Sequence, residues 1–149
     1  MGLVLNKKTD LTVNALFSDL ENHPQMPIYI GGPLSANRLF FIHSLGDIVI
    51  PDSFKINDNL FFDGDFESLL QYIRNGHPIE GKVKFFLGYS GWQEGQLNNE
   101  ISQNSWLVSH TSNRNMLVGE GEDFWKRSLK SVGSRYETWT KYPKDPYLN

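Results

Sequence analysis

The stretch Lys82-Val83-Lys84-Phe85-Phe86-Leu87-Gly88-Tyr89-Ser90-Gly91-Trp92, followed by Gly95-Gln96-Leu97-Asn98-Asn99-Glu100-Ile101, decides the fold. Residues 82–87 are short, apolar and rich in β-formers, the signature of a strand. Residues 88–91 read as a glycine-punctuated turn. Residues 94–104 read as a helix, with Leu97 and Ile101 four apart and directed into the core. A strand therefore runs through a turn into a helix.

Upstream, Gly76-His77-Pro78-Ile79-Glu80-Gly81 joins that strand to an earlier helix. On this helix Phe66, Leu69, Leu70 and Ile73 share a face, Asp63 or Asp65 caps the start, and Gly76 stands just past the end. Before it, residues 28–30, 39–43, 47–50, 54–57 and 60–62 read as strands, the first closed by Gly31-Gly32-Pro33. Val13, Leu16, Phe17 and Leu20 fall at i, i+3, i+4, i+7 and give a short first helix capped by Asp10 or Thr12. Residues 2–5 read as the end of a strand and 6–10 as a polar turn. Downstream, Trp106-Leu107-Val108 reads as a strand. Phe124, Trp125, Leu129 and Val132 mark a fourth helix stopped by Gly133, and residues 136–149 an aromatic, packed tail. The elements interleave irregularly, with no repeat and no linker. The prediction is one α+β domain over residues 1–149, with a mixed sheet and about four helices.

Composition removes several function classes. The chain has 149 residues and a formal net charge of −3, so no global basic field recruits nucleic acid or an anionic membrane. It contains no cysteine, which excludes disulfides, thiolate nucleophiles and cysteine-held metals. The longest apolar runs, such as Leu39-Phe40-Phe41-Ile42, fall far short of the ~18 residues a membrane helix needs. A cytoplasmic protein without a membrane segment is expected.

Residues 76–83 nearly spell a phosphate-binding loop. However, Val83 replaces the magnesium-binding hydroxyl, and the order is helix to strand rather than strand to helix. Gly88-Tyr89-Ser90-Gly91-Trp92 approaches a nucleophile elbow, but Trp92 occupies the place of the second glycine. His23, His43, His77 and His110 are scattered, with no metal-ligand pair at i, i+4. His43 closes an apolar strand and reads as a hydrogen-bonded, partly buried side chain. Asp63-Gly64-Asp65-Phe66-Glu67 lacks calcium-loop order, and its charges suit a helix start. The basic residues near the C-terminus come with no nucleic-acid-reading motif. No catalytic residue, metal site or cofactor is expected.

Several blocks together carry a resemblance. They are Gly2-Leu3-Val4-Leu5-Asn6, Gly31-Gly32-Pro33, Phe86-Leu87-Gly88-Tyr89-Ser90-Gly91-Trp92, Gly95-Gln96-Leu97 with Glu100-Ile101, Trp106-Leu107-Val108, and Tyr142-Pro143-Lys144-Asp145-Pro146. In order and spacing they resemble the AlgH/YqgE family of small bacterial proteins over essentially the whole chain. The resemblance implies a strongly bent, partly barrel-like sheet flanked by helices, and no established activity. The label of transcriptional regulator has spread through the family from one member's association with alginate synthesis. Family members usually carry a further strand pair ahead of the Gly-Leu-Val-Leu-Asn block, so this chain is expected to be shortened by tens of residues. An unpaired sheet edge, and with it a homodimer, would follow.

The expected role is that of a non-catalytic binding or regulatory module acting on a protein or small-molecule partner. The alternative is a hydrolase-like enzyme, and direct DNA reading ranks last. A ligand site is expected at Tyr89, Gly91, Trp92, Gln96 and Glu100, where a glycine-rich turn, an aromatic face and an amide–carboxylate pair at i, i+4 adjoin a helix start. The resemblance adds Gly31 and Gly32 as residues closing the pocket. The competing reading of this block is structural, with the glycines serving the turn, Trp92 in the core and the polar stripe solvated.

Overall fold

The computed structural model describes residues 1–141. Its elements are β1 (Lys8–Thr12), α1 (Val13–Leu16), β2 (Pro27–Ile30), β3 (Leu34–His43), β4 (Phe54–Asn57), β5 (Leu60–Phe62), α2 (Phe66–Arg74), β6 (Val83–Tyr89), α3 (Gln96–Ser102), α4 (Asn113–Val118) and α5 (Gly121–Val132). Single 3-10 stretches cover Ser18–Leu20 and Ser134–Lys141.

The six strands form one mixed sheet in the order β1-β2-β6-β3-β5-β4. The central strand β6 runs parallel to β2 and antiparallel to β3, so both β2 and β6 begin at the same end of the sheet. β3 is long enough to pair with β6 along most of its length and with β5 near its end. Between Leu34 and Leu39 its register against β6 shifts, which bends the strand as a bulge does. β1 and β4 remain as edges, and the sheet is bent but not closed.

Alternation along the strands builds two apolar faces. Ile28, Phe41, Val83 and Phe85 pack against Val13, Leu20, Leu69, Leu70 and Ile73. Burial of each of the three α2 side chains contributes about 1.5–3 kcal/mol. Asp65 caps α2 through Ser68 N, and Gly76 (φ +80°) follows its last turn. Tyr29, Ile42, Leu60 and Phe86 point the other way, where Leu117 of α4 and Leu3 and Leu5 of the N-terminal segment cover them.

Several expectations are corrected. There are five helices among the described residues rather than four, because α4 lacked an apolar stripe and went unread. Residues 47–50 form a turn closed by Ile50 N to Gly46 O at 3.0 Å, which leaves Ile48 95% exposed. Residues 106–108 take no strand partner, and Lys8–Thr12 is a strand where a polar turn was expected. Leu97 is only half-buried and Ile101 exposed, so α3 lies on the surface rather than against the core. Residues 2–5 are held: Gly2 exchanges 2.8 Å backbone bonds with Ser90, and Val4 N donates to Gly31 O at 2.8 Å. Of the expected aromatic tail, residues 142–149 lie outside the described residues.

Candidate functional site

The parallel pairing of β2 and β6 brings two entry loops side by side at one end of the sheet. The loop into β2 supplies His23, Pro24 and Met26, and the connector from α2 into β6 supplies His77, Pro78 and Ile79. Leu117 and Val118 at the end of α4, and Glu120 just beyond it, complete the lining. A cleft of about 580 Å³ lies between them. Its lining is mostly apolar, with a compact polar set in one wall.

That set centres on Lys84. In the run Val83-Lys84-Phe85-Phe86-Leu87 it is the one charged side chain, and it falls on the Phe86 side of the sheet at 3% exposure. Its Nζ lies 4.1 Å from the centre of the Tyr29 ring and donates to the carbonyl of Gly119. Gly119 is there because nothing larger fits: an added Cβ would stand 2.2 Å from Phe124 Cδ2 and 2.5 Å from Asn115 O. The close α4–α5 junction thus presses a backbone acceptor onto the lysine. Asn6 fixes this junction further, its Nδ2 donating to Gly121 O at 3.1 Å and its carbonyl accepting from Gly121 N at 3.1 Å.

Tyr29 Oη donates to Glu120 Oε2 at 2.6 Å, and Lys8 Nζ lies 3.4 Å from the same oxygen. The electrostatics follow from these contacts. Burial holds the Lys84 ammonium down to about pKa 8, against a smaller opposing pull from Glu120. Burial also raises the Tyr29 phenol, reinforced by the Glu120 carboxylate. The Tyr29 hydrogen bond in turn lowers the Glu120 carboxyl, and Lys8 assists. The arrangement can hold a small ligand by its apolar body and present an amine, a phenol and a carboxylate to its polar end.

The residues expected from sequence lie at the opposite end of β6. Trp92, Gln96 and Glu100 do come together. Glu100 accepts from Trp106 Nε1 at 2.6 Å, Gln96 Nε2 at 2.9 Å and Trp92 Nε1 at 3.2 Å, contacts that hold its carboxyl below the ordinary range. Gln96 Oε1 accepts from Gln93 N at 3.0 Å. The indoles of Trp92 and Trp106 meet edge to face, 5.8 Å apart. Tyr89 packs on Phe40 at 5.6 Å, and a Cβ on Gly91 would come within 2.7 Å of Leu34. Gly31 and Gly32 face the backbone of Gly88 and Tyr89, where added Cβ atoms would lie 2.3 Å and 2.2 Å from main-chain atoms. These two glycines let the end of β2 lie closely against the backbone of residues 88–90, just ahead of Trp92.

His43 is fully buried at the end of β3, with Nε2 2.9 Å from Ser53 Oγ and 3.1 Å from Asp63 O. Burial lowers its pKa, opposed by the Asp63 carbonyl. Sequence reading passed over Lys84, Tyr29 and Glu120. The available signal was one lysine inside an apolar strand, which has to be buried or to interrupt the pattern.

The DUF179, AlgH-like family model matches residues 1–137. The chain belongs to the AlgH-like family. A UPF0301 protein of Parabacteroides distasonis is 66% identical over 149 residues, all of this chain and 75% of the relative. A UPF0301 protein of Bacteroides thetaiotaomicron is 39% identical over the same span and share. Two solved structures share the fold. The AlgH protein of Pseudomonas aeruginosa has TM-score 0.70 and 24% identity, covering 97% of this chain and 78% of that one. A Corynebacterium diphtheriae protein has TM-score 0.72 and 18% identity, covering 94% and 74%. No helix among the described residues is long and apolar enough to cross a membrane.

Proposed function

We propose that this AlgH-like protein is a non-catalytic binding module that takes a small, largely apolar ligand with one polar end into the cleft where β2 and β6 begin. The observation that carries this is the cleft itself: about 580 Å³, apolar over most of its lining, with Tyr29, Lys84 and Glu120 held ready in one wall. Small-molecule sites have that size and that sparse polar complement. A regulatory role through such a ligand is the wider function this supports. The test is a thermal-shift screen of metabolites on the wild type and on Val118→Trp, which fills the cleft from a residue at its rim. Stabilisation by a ligand in the wild type that the folded variant loses is the expected result. Equal stabilisation of both, or none across the screen, overturns the reading.

The hydrolase alternative has one contact in its favour, His43 beside Ser53. There the Ser53 hydroxyl donates to Ile50 O at 2.6 Å, and buried His43 Nδ1 has no hydrogen-bond partner among the described residues, so none of them supplies an acid that orients the imidazole. Generic ester and phosphate substrates are expected to show no turnover. The cluster of Tyr89, Gly91, Trp92, Gln96 and Glu100, with Gly31 and Gly32 behind it, is proposed as a second contact surface, supported by the half-exposed indole of Trp106. Self-association through an open sheet edge, β1 or β4, is proposed alongside. Light scattering that gives a constant monomer mass at rising concentration overturns it.

A further inference from the structure

We infer that Lys84 Nζ is a nucleophile that captures a carbonyl-bearing ligand, an aldehyde or ketone, as an imine within the cleft. The inference deepens the binding reading and rests on it.

The geometry at the nitrogen is the main argument. Nζ donates to the Gly119 carbonyl and lies 4.1 Å from the centre of the Tyr29 ring and 6.0 Å from that of Phe86. The side chain is 3% exposed and forms no ion pair with a carboxylate among the described residues. Burial without a paired carboxylate penalises the ammonium and favours the free amine, which keeps a lone pair. Glu120 takes the Tyr29 hydroxyl at 2.6 Å and Lys8 at 3.4 Å through Oε2, and its charge only partly offsets the burial of Lys84. Lysines activated in this way, by an apolar site rather than by an adjacent base, are the ones that form Schiff bases with carbonyl compounds. The depressed pKa of about 8 agrees with the contact geometry. Other linings of the cleft favour the same ligand class. His23, His77 and Glu80 lie at its rim and give no cluster of cations for a phosphate, whereas Met26, Ile79, Val83 and Leu117 suit an alkyl or aryl body.

The step balances without a further reagent. The Nζ lone pair adds to the carbonyl carbon and the C=O π pair moves to oxygen. The two amine hydrogens then leave with that oxygen as one water, and the nitrogen lone pair closes the C=N bond.

The experiment is reductive trapping of the wild-type protein with hexanal and sodium cyanoborohydride at neutral pH, read by intact mass and peptide mapping. Hexan-1-ol serves as the matched ligand that lacks a carbonyl, with its binding followed by amide chemical shifts of residues 77–84 and 117–120. Lys84 is expected to be alkylated first, to one equivalent, and on the order of tenfold or more faster than the surface lysines, because burial leaves more of it as free amine. Lys84→Arg, and Lys84→Met should that variant fail to fold, removes this fast phase and leaves slow surface labelling. Labelling spread over surface lysines while hexan-1-ol still shifts the cleft overturns the imine and spares the binding reading. Failure of both compounds to perturb the cleft removes both.

Discussion

Lys84 is where residue-scale chemistry is most exposed to measurement. Its folded pKa of about 8 lies below the ordinary lysine value of 10.5, so the unfolded chain binds more protons between those values. The cost of burying the charge is therefore fully present below pH 8 and relieved as pH rises toward 10.5. Wild-type stability relative to Lys84→Met is expected to rise across that window, and the variant is expected to melt no lower than wild type at neutral pH. Chemical denaturation at stepped pH measures the difference; a flat difference from pH 8 to 10.5 contradicts the burial of a strained ammonium. His43 has the same sign in a lower window. Its pKa is depressed by burial, so its contribution is present above the ordinary histidine value of 6.5 and lost as pH falls through the folded value. At Glu100 the expectation is local. Glu100→Ala releases both indoles and Gln96, so hydrogen-exchange protection over residues 96–102 should fall while the core strands keep theirs. Loss of protection in β6 as well would show the clasp to be part of the global fold.

Among the elements, what sequence could reveal depended on how each was stabilised. α2 was legible because Phe66, Leu69, Leu70 and Ile73 repeat at helical spacing and its cap and C′ glycine stand at both ends. β2, β5 and β6 were legible as apolar runs between turn residues, and β4 by the alternation Phe54-Lys55-Ile56-Asn57. α4 was not, since Asn113-Arg114-Asn115-Met116-Leu117-Val118 buries a single residue and is set in place by its Ser112 cap and by contact with β6. The 47–50 turn failed for the converse reason: Ile48 and Val49 look like strand residues, yet the local Ile50–Gly46 bond fixes them outside the sheet. The junction of α4 and α5 carries a prediction of its own. Gly119→Ala would force a Cβ against Asn115 O and the Phe124 ring, at a cost of about 1–3 kcal/mol, and would displace the carbonyl that holds Lys84. Denaturant melts should record that loss together with a return of the Lys84 pKa toward its ordinary value. An unchanged midpoint contradicts the packing account.

For the whole molecule, the α+β class and the family were readable from the chain, because periodicity and the Gly88–Glu100 block are local in sequence. The cleft was not. Tyr29, Lys84 and Glu120 are brought together only by the parallel β2–β6 pairing and the α4–α5 junction, and separations of this length leave no spacing to read. The net charge of −3 argues against a global field for phosphate neutralisation, and no nucleic-acid-reading motif accompanies the basic C-terminal residues, so a gel shift at physiological salt is expected to show no sequence-dependent complex. A sub-micromolar, sequence-specific band would contradict this. The central claim is that ligands enter where β2 and β6 begin. Amide chemical-shift mapping of the wild-type protein during a small-molecule screen tests it most directly. Perturbations confined to residues 23–29, 77–84 and 117–120 are the predicted result; perturbations centred on residues 89–106, with the cleft unmoved, would contradict it.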